Sequence, residues 1–453
     1  MKQKQTVREI LKQDREILDL EVCGWVRTRR DSKGFSFVEI NDGSCLKNLQ
    51  LVIDHNILDK DQLKKITLGS SIKAVGDLVL SIGSKQKWEL QCKKVYLLGE
   101  ADPEKYPLQK KRHSDEFLRK IAHLRVRTNK YSAINRIRSK AAFFIHKFFQ
   151  ERDFHYIHTP IITSSDCEGA GELFQLIKRG EKETKFFSKN AYLTVSGQLA
   201  AEALCMGLGR VYTFGPTFRA EDSNTPRHAA EFWMVEPEMA FFDLNDNIDL
   251  AEEFIKFVTK NVLETCREDI ELFRRFVDKE LIGRLEKVVK DPFVRIEYSE
   301  AIEILKSAHK KENFEFEPIW GDDIHTEHEK YLCEKQFKGP VVVYNYPRTL
   351  KPFYMRVNDD NNTVAAMDIL LPKVGEVVGG SQREERLNVL IENMQKKNMD
   401  IEEYEWYIDL RRYGSVVHSG FGLGFDRFVM FLCAVSNIRD AIPFPRTPGT
   451  LSY

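Results

Sequence analysis

Residues 211–241, VYTFGPTFRAEDSNTPRHAAEFWMVEPEMAF, read as a strand, a polar loop and a second strand. Arg219 closes the first strand, and Arg227 and His228 lie in the loop. Guanidinium groups take phosphate oxygens two at a time, so two arginines and a histidine around one hairpin suit a triphosphate. The second strand, EFWMVEPEMAF, is apolar enough to be internal yet carries Glu231, Glu236 and Glu238. Three acids in such a strand need buried partners or a substrate.

Two further stretches carry chemistry of the same kind. In residues 367–386, MDILLPKVGEVVGGSQREER, Glu376 sits in an apolar strand context and Asp368 precedes it in the same stretch. These two carboxylates suit Mg²⁺, which binds through a few protein oxygens plus phosphate. Gly379 and Gly380 let a ligand approach the backbone, and Arg383 can meet a carboxylate or a carbonyl. The third stretch, GFGLGFDRFVMFL, begins at Gly420 and is neither a P-loop nor a dinucleotide fingerprint. Gly420, Gly422 and Gly424 alternate, so in a strand they present bare backbone on one side, a slot for a planar base. Arg427 falls in the first turn of the helix that Phe425, Phe428, Val429 and Leu432 predict. A cation there opposes the helix dipole, which points to a charged partner. His325 and His328 in HTEH have a metal-like spacing but no further ligands nearby, and a solvated helix start is the expectation.

The elements that must hold these residues divide the chain. Before residue 102 the sequence reads as β structure, with strands expected at 21–30, 35–40, 48–53, 71–80 and 88–98 and a helix over 57–66. Five strands with a helix between the third and fourth is the order of an OB-fold, a barrel that commonly binds oligonucleotides. A basic, proline-containing hinge spans 102–131. From 132 to 453 strands and helices alternate irregularly, starting with an amphipathic helix that carries Ile134, Ile137, Ala141, Phe144, Ile145 and Phe148. RDFHYIHTP then reads as a strand ending at Pro160. The expected class is α+β, a barrel followed by a catalytic domain.

Composition narrows the classes. Of 453 residues, 42% are hydrophobic and 30% charged, with 69 basic and 69 acidic residues, so neither a disordered chain nor a generally basic one is expected. No run of apolar residues is long enough to span a membrane. The charged N-terminus MKQKQTVREILKQD lacks the apolar segment of a signal peptide, and the eight cysteines form no CxxC pair. A cytoplasmic protein is the expectation.

Taken together, the three stretches resemble the signature motifs of class II aminoacyl-tRNA synthetases. HTPIIT with Pro160 is similar to the first motif, FRAEDSNTPRHAAEFWMVEPE to the second and GFGLGFDR to the third. The order of barrel, hinge and catalytic domain resembles the subgroup charging aspartate, asparagine and lysine. SGQLAAE, NYPRTLKPFYMR and GEVVGGSQREER look most like its asparagine-charging branch. The resemblance implies an antiparallel sheet flanked by helices, acting as a homodimer through the first motif. It implies ATP and Mg²⁺ as cofactors, with L-asparagine and tRNA(Asn) as partners. Arg219 is expected at the α-phosphate, Arg227 and His228 at the outer phosphates and Arg427 at the γ-phosphate end. Glu221, Gly424 and Asp426 complete the ATP site. Glu376 is expected to bind the metal, assisted by Asp368. Glu168, Gln198, Glu236, Gly379 and Arg383 are expected around the amino acid. On the barrel, Arg27, Arg29, Phe37 and Gln50 are expected at the anticodon, with Trp25, Phe35 and Arg30 nearby; stacked aromatics flanked by cations grip single-stranded RNA.

Aspartate-charging relatives carry a lysine three residues after a glutamine, and here the matching stretch is Gln198-Leu199-Ala200-Ala201. The missing cation favours an uncharged side chain, with Arg383 on its carbonyl oxygen and Glu236 accepting from its amide NH₂. Other readings remain open: an aspartate-charging relative, an ATP-dependent asparagine synthetase on the same catalytic fold, and a non-catalytic RNA-binding relative. The barrel counts against the second, and Arg219, Glu376 and Arg427 count against the third.

Overall fold

A computed structural model describes residues 5–83, 86–165, 172–180, 186–223 and 225–452, which fall into two compact units, Met1–Ala133 and Ile134–Tyr453. In the first unit β1 (Ile17–Asp31), β2 (Phe35–Asn41), β3 (Leu49–Asp54), β4 (Ser71–Leu80) and β5 (Trp88–Gly99) close a barrel in the order β1-β2-β3-β5-β4. This is the expected OB arrangement. Alternation drives it: Ile72, Ala74 and Leu78 of β4 point inward and join Val22, Val38, Ile40, Leu51 and Leu90 in one apolar core. Gly76 lies at the closest approach of β4 and β5, where a Cβ would collide with the Gln91 carbonyl. Helix α1 (Lys60–Lys65) begins at Asp59, whose carboxylate accepts from the Gln62 N–H at 2.7 Å, and Leu63 plugs the barrel end. β1 starts ahead of the expected Glu21, because its pairing with β4 resumes at Ile17 beyond an irregularity before Leu20.

The hinge stretch contains two short helices, Asp115–Lys120 and Ala122–Arg125, the first capped by Ser114. Helix α2 (Asn129–Gln150) follows and buries the expected face of Ile134, Ile137, Ala141, Ile145 and Phe148. The strand expected up to Pro160 is only two residues long, β6 (His155–Tyr156). It forms the edge of the main sheet, parallel to its neighbour Arg210–Phe218, and the chain leaves the sheet soon after.

The second unit is built on an eight-stranded sheet. Helix α3 (Gln198–Leu208) leads into β7 (Arg210–Phe218) and β8 (Glu231–Ala240), then helix α4 (Leu244–Thr265). β9 (Val294–Glu297), the short helix α5 (Thr326–Lys330), β10 (Val341–Pro347), β11 (Thr363–Leu371) and β12 (Gly375–Gln382) follow. Helix α6 (Glu405–Arg412), β13 (His418–Gly424) and helix α7 (Phe425–Cys433) complete it. The strand order is β9-β10-β11-β12-β13-β8-β7-β6, antiparallel through the centre and parallel at its two outermost pairs. The antiparallel centre is as expected; the parallel edges are an addition. Two contacts place the strands under the cavity described next. Asp243 and Asp246 form a capping box at the start of α4, and Asn247 in its first turns donates to the Gly420 carbonyl at 2.9 Å. The Asp426 carboxylate, in the first turn of α7, accepts from the Trp233 N–H at 2.8 Å and from Arg138 of α2.

His328 is no metal ligand here. Its Nδ1 accepts from the His325 N–H at 3.3 Å, so Nε2 carries the proton and donates to the Phe316 carbonyl at 3.0 Å.

Candidate active site

The cavity of about 330 Å³ lies over the centre of the sheet. Its floor follows from the period of β8. Phe232, Met234, Glu236 and Glu238 are two residues apart, share one face and all line the cavity. Arg219, Glu221, Arg227, His228, Asp368, Glu376, Gly379, Arg383, Gly424, Asp426, Arg427 and Gln198 line it as well. Every expected cavity residue among those described is therefore in one place, although the sequence separates Gln198 from Arg427 by most of the domain. Glu168 lies outside the described residues.

One end of the cavity is rich in unsatisfied donors. Arg219 and Arg227 each keep a buried Nε without a hydrogen-bond partner. Arg219 stacks over Phe232, with its guanidinium carbon 5.4 Å from the ring centre. Arg427 donates to the Glu376 backbone carbonyl at 3.2 Å and lies 3.5 Å from the Glu376 carboxylate. Burial pushes Arg427 below the usual arginine range, against the pull of Glu376. His228 is also held below the usual histidine range, first by burial and then by Arg427, which favours its neutral imidazole. Its Nδ1 lies 2.6 Å from Thr225 Oγ1 and 3.0 Å from Ser223 Oγ, hydroxyls that can donate to an unprotonated nitrogen. Asp426 lines the cavity, and its two carboxylate oxygens accept from Arg138 and the Trp233 N–H, so it anchors the strand-to-helix junction.

Two carboxylates face each other beside these cations. A Cβ on Gly379 would sit 3.4 Å from both Asp368 Oδ1 and Glu376 Oε1, so the two acids flank one point. Burial and Glu376 push Asp368 up, although Lys351 pairs with it at 2.9 Å. Burial also opposes the Glu376 charge, but Arg427, Lys351 and Arg227 outweigh it and hold that group below the usual range. Among the described residues no cluster of three or more metal-type side chains exists. Two carboxylates this close, beside several cations, could hold a divalent cation whose shell phosphate oxygens and water would complete.

The other end is closed and paired. Arg383 is almost fully buried, and all three of its guanidinium nitrogens have protein partners. Nε donates to Glu238 at 3.1 Å, Nη2 donates to the same carboxylate, and Nη1 donates to Ser381 Oγ at 2.9 Å. Glu238, not the expected Glu236, is thus the acid beside Arg383. Burial and the nearby Glu202 push the Glu238 carboxyl up, while the Arg383 guanidinium pulls it down and favours its charged form. Glu236 accepts instead from Ser196 Oγ, from the Gly197 N–H at 3.0 Å and from Thr213 Oγ1 at 3.0 Å. Gly420 does not offer the bare slot its spacing suggests, because the Glu238 carboxylate fills the space a side chain would occupy. Gly422 and Gly424 do face the cavity. Gln198 Nε2 donates to Glu202 Oε1 at 3.0 Å. Glu202 also accepts from Tyr407 at 2.7 Å and Arg411 at 2.9 Å. Burial opposes its charge, but Arg411, His418 and Arg383 hold it well below the usual carboxylate range. Ala201 packs with Cys205, Val211 and Ala240, so α3 sends no cation into the cavity.

Sequence reasoning passed over Glu202, Lys351 and Glu329. Glu202 follows Gln198 at helical i,i+4 spacing, a readable signal; Lys351 and Glu329 come from distant segments and leave none.

On the barrel the expected RNA face thins out. The Arg27 guanidinium donates to the Arg127 carbonyl and to Asn129 Oδ1 at 2.7 Å. Arg29 is held by both oxygens of Asp31 and by the Leu63 and Ile66 carbonyls. Gln50 donates to Glu89 at 3.1 Å. Both arginines are thus tied into their own unit, by long side chains reaching backbone carbonyls that spacing does not reveal. Phe37 lies under Arg30 at 5.1 Å, and Trp25 and Phe35 are exposed. Arg30, Phe35 and Phe37 form the remaining aromatic and cationic surface.

Comparison with known proteins agrees with this geometry. Residues 114–448 match the family model described as tRNA synthetases class II (D, K and N), and residues 20–98 match that of an OB-fold nucleic acid binding domain. The chain is 56% identical to the asparagine–tRNA ligase of Nitratidesulfovibrio vulgaris over 445 residues, 96% of each chain. It is 56% identical to that of Lawsonia intracellularis over 453 residues, 99% of each. The asparaginyl-tRNA synthetase of Pyrococcus horikoshii complexed with asparaginyl-adenylate superposes with a TM-score of 0.89 at 34% identity, covering 100% of both chains. By fold, by site and by these matches, the chain belongs to the class II tRNA synthetases of the D, K and N group.

Proposed function

We infer that the protein activates L-asparagine with ATP and transfers it to tRNA(Asn). The observation that carries this reading is the charge pairing around Arg383. Its guanidinium is matched by Glu238 and Ser381, and Ala201 brings no second cation. A side-chain carboxylate would enter a buried site with no free positive charge, which is costly. A carboxamide fits, with its oxygen toward Arg383 and its NH₂ toward Glu238.

In this reading the amino-acid carboxylate, already ionised at neutral pH, attacks the α-phosphorus of ATP. A carboxylate O–P bond forms, the bond to the β-phosphate bridging oxygen breaks, and pyrophosphate leaves. No general base is needed, so positioning and stabilisation of phosphate charge do the work. Arg219 stabilises charge at the α-phosphate, Arg227, His228 and Arg427 hold the outer phosphates, and Phe232 packs on the base. The buried unpartnered Nε atoms of Arg219 and Arg227 support these roles. Glu376 and Asp368 would hold Mg²⁺, which neutralises phosphate charge when bound. Glu236 and Gln198 serve the amino acid's α-amino group; Gln198 presents its carbonyl oxygen because Glu202 accepts from its NH₂. A terminal ribose hydroxyl of the tRNA then attacks the activated carbonyl and AMP leaves, while the barrel surface of Arg30, Phe35 and Phe37 meets the anticodon.

The exposed apolar side chains Phe143, Tyr156, Ile161 and Ile162, in and after α2, support a homodimer built on the first motif. Cys23, Cys45, Cys92, Cys205 and Cys333 are free thiols, which supports a reducing, cytoplasmic compartment. The test is charging. With ATP, labelled asparagine is expected on tRNA(Asn) as an alkali-labile ester. Formation of free asparagine from aspartate and ammonia, with no label on tRNA, would replace this reading with that of an asparagine synthetase.

A further inference from the structure

Arg227 is reached by a side chain from a segment that carries none of the three motifs. Glu329 Oε2 in α5 accepts from Arg227 Nη1 at 2.8 Å, and Thr326 Oγ1 accepts from the same Nη1 at 2.9 Å. The pair is sheltered, with side-chain exposures of 17% for Arg227 and 9% for Glu329. Both contacts fall on Nη1, while Nε is buried and has no partner. The guanidinium is therefore gripped at Nη1, and the protein gives its buried Nε no partner. Gly375, the first residue of β12, makes room for this grip. Its φ is +82°, and a Cβ there would collide with Glu329 Oε2 and lie 3.1 Å from Arg227 Nη1. Three segments far apart in sequence thus converge on one ion pair: the loop after β7, helix α5 and the start of β12. Glu376, the candidate metal ligand, is the next residue after Gly375.

We propose that Glu329, with Thr326, is the positioning residue for Arg227, holding its guanidinium on the path of the β- and γ-phosphates. An arginine on a polar loop has many rotamers, and a fixed anchor removes most of that freedom before ATP arrives. The anchor takes up Nη1 and leaves the Nε donor without a protein partner, so anchoring does not use every donor of the guanidinium. Glu329 touches no substrate; it acts through Arg227. The inference rests on the ATP reading above and adds to it a residue that ties the phosphate-binding loop to α5.

The experiment compares wild type, Glu329→Gln, Glu329→Asp and Thr326→Val, titrating ATP and AMP and measuring asparagine-dependent pyrophosphate exchange. AMP lacks the outer phosphates, so its affinity reports the rest of the site. For Glu329→Gln, ATP affinity is expected to fall about tenfold or more, the weight of one lost charge-assisted contact, with AMP affinity and the KM for asparagine within twofold of wild type. Glu329→Asp recovers part of the loss. Should Glu329→Gln fail to fold, Thr326→Val carries the test, since it removes one contact and no charge; about a threefold loss for ATP alone is expected. ATP affinity equal to wild type would overturn the proposal, and so would a parallel fall for ATP and AMP, which marks a general disturbance of the cavity. Absence of exchange in the wild type would instead defeat the proposed function.

Discussion

At the end of the cavity proposed for phosphate, Arg219 and Arg227 keep buried Nε donors without partners; at the end proposed for the amino acid, every guanidinium nitrogen of Arg383 is already matched. The two ends use the same residue type in opposite states. An arginine with open donors in a sheltered site binds whatever anion completes it, and a triphosphate does so well. An arginine paired with a buried glutamate has no net charge to offer and presents only dipoles and hydrogen bonds. Such a site reads shape and hydrogen-bond pattern and penalises an added charge. In the proposed function one cavity thus takes a highly charged nucleotide and a neutral side chain side by side.

Removing one partner should expose this contrast most strongly at the paired end. Arg383→Met leaves Glu238 buried without its cation, and a loss of about 3–5 kcal/mol in urea unfolding is expected. Adding Glu238→Leu should return most of that stability while exchange activity stays lost. A double variant no more stable than the single one would show that the pair is not the source of the cost.

The open end predicts the reverse pattern. Arg219→Ala breaks no protein hydrogen bond at Nε, so the unfolding midpoint should stay where it is. The turnover of pyrophosphate exchange should fall by about 10²–10³, on the order of 3 kcal/mol of transition-state stabilisation, with the KM for asparagine little changed. Near-normal exchange by this variant would remove Arg219 from the α-phosphate.

Much of this was legible in the chain because it is local. The β8 period put Glu236 and Glu238 on one face, the alternation of β4 foretold the barrel, and Phe428, Val429 and Leu432 marked the buried side of α7. What was not legible depends on partners distant in sequence. Whether Glu236 or Glu238 meets Arg383 is decided by the pairing of Glu238 with Gly420 across β8 and β13, which no spacing encodes. Asp31, two residues from Arg29, was a readable partner, but the backbone carbonyls that also hold Arg27 and Arg29 leave no trace in residue type. Glu329 and Lys351 were passed over for the same reason: each meets its partner only after the sheet has formed.

Side-by-side pyrophosphate exchange with asparagine and aspartate tests the central claim, that a matched Arg383–Glu238 pair without a second cation selects a neutral side chain. The account predicts a kcat/KM for asparagine about four orders of magnitude above that for aspartate. Comparable values for the two amino acids would contradict it and would mean that the cavity neutralises a second carboxylate after all.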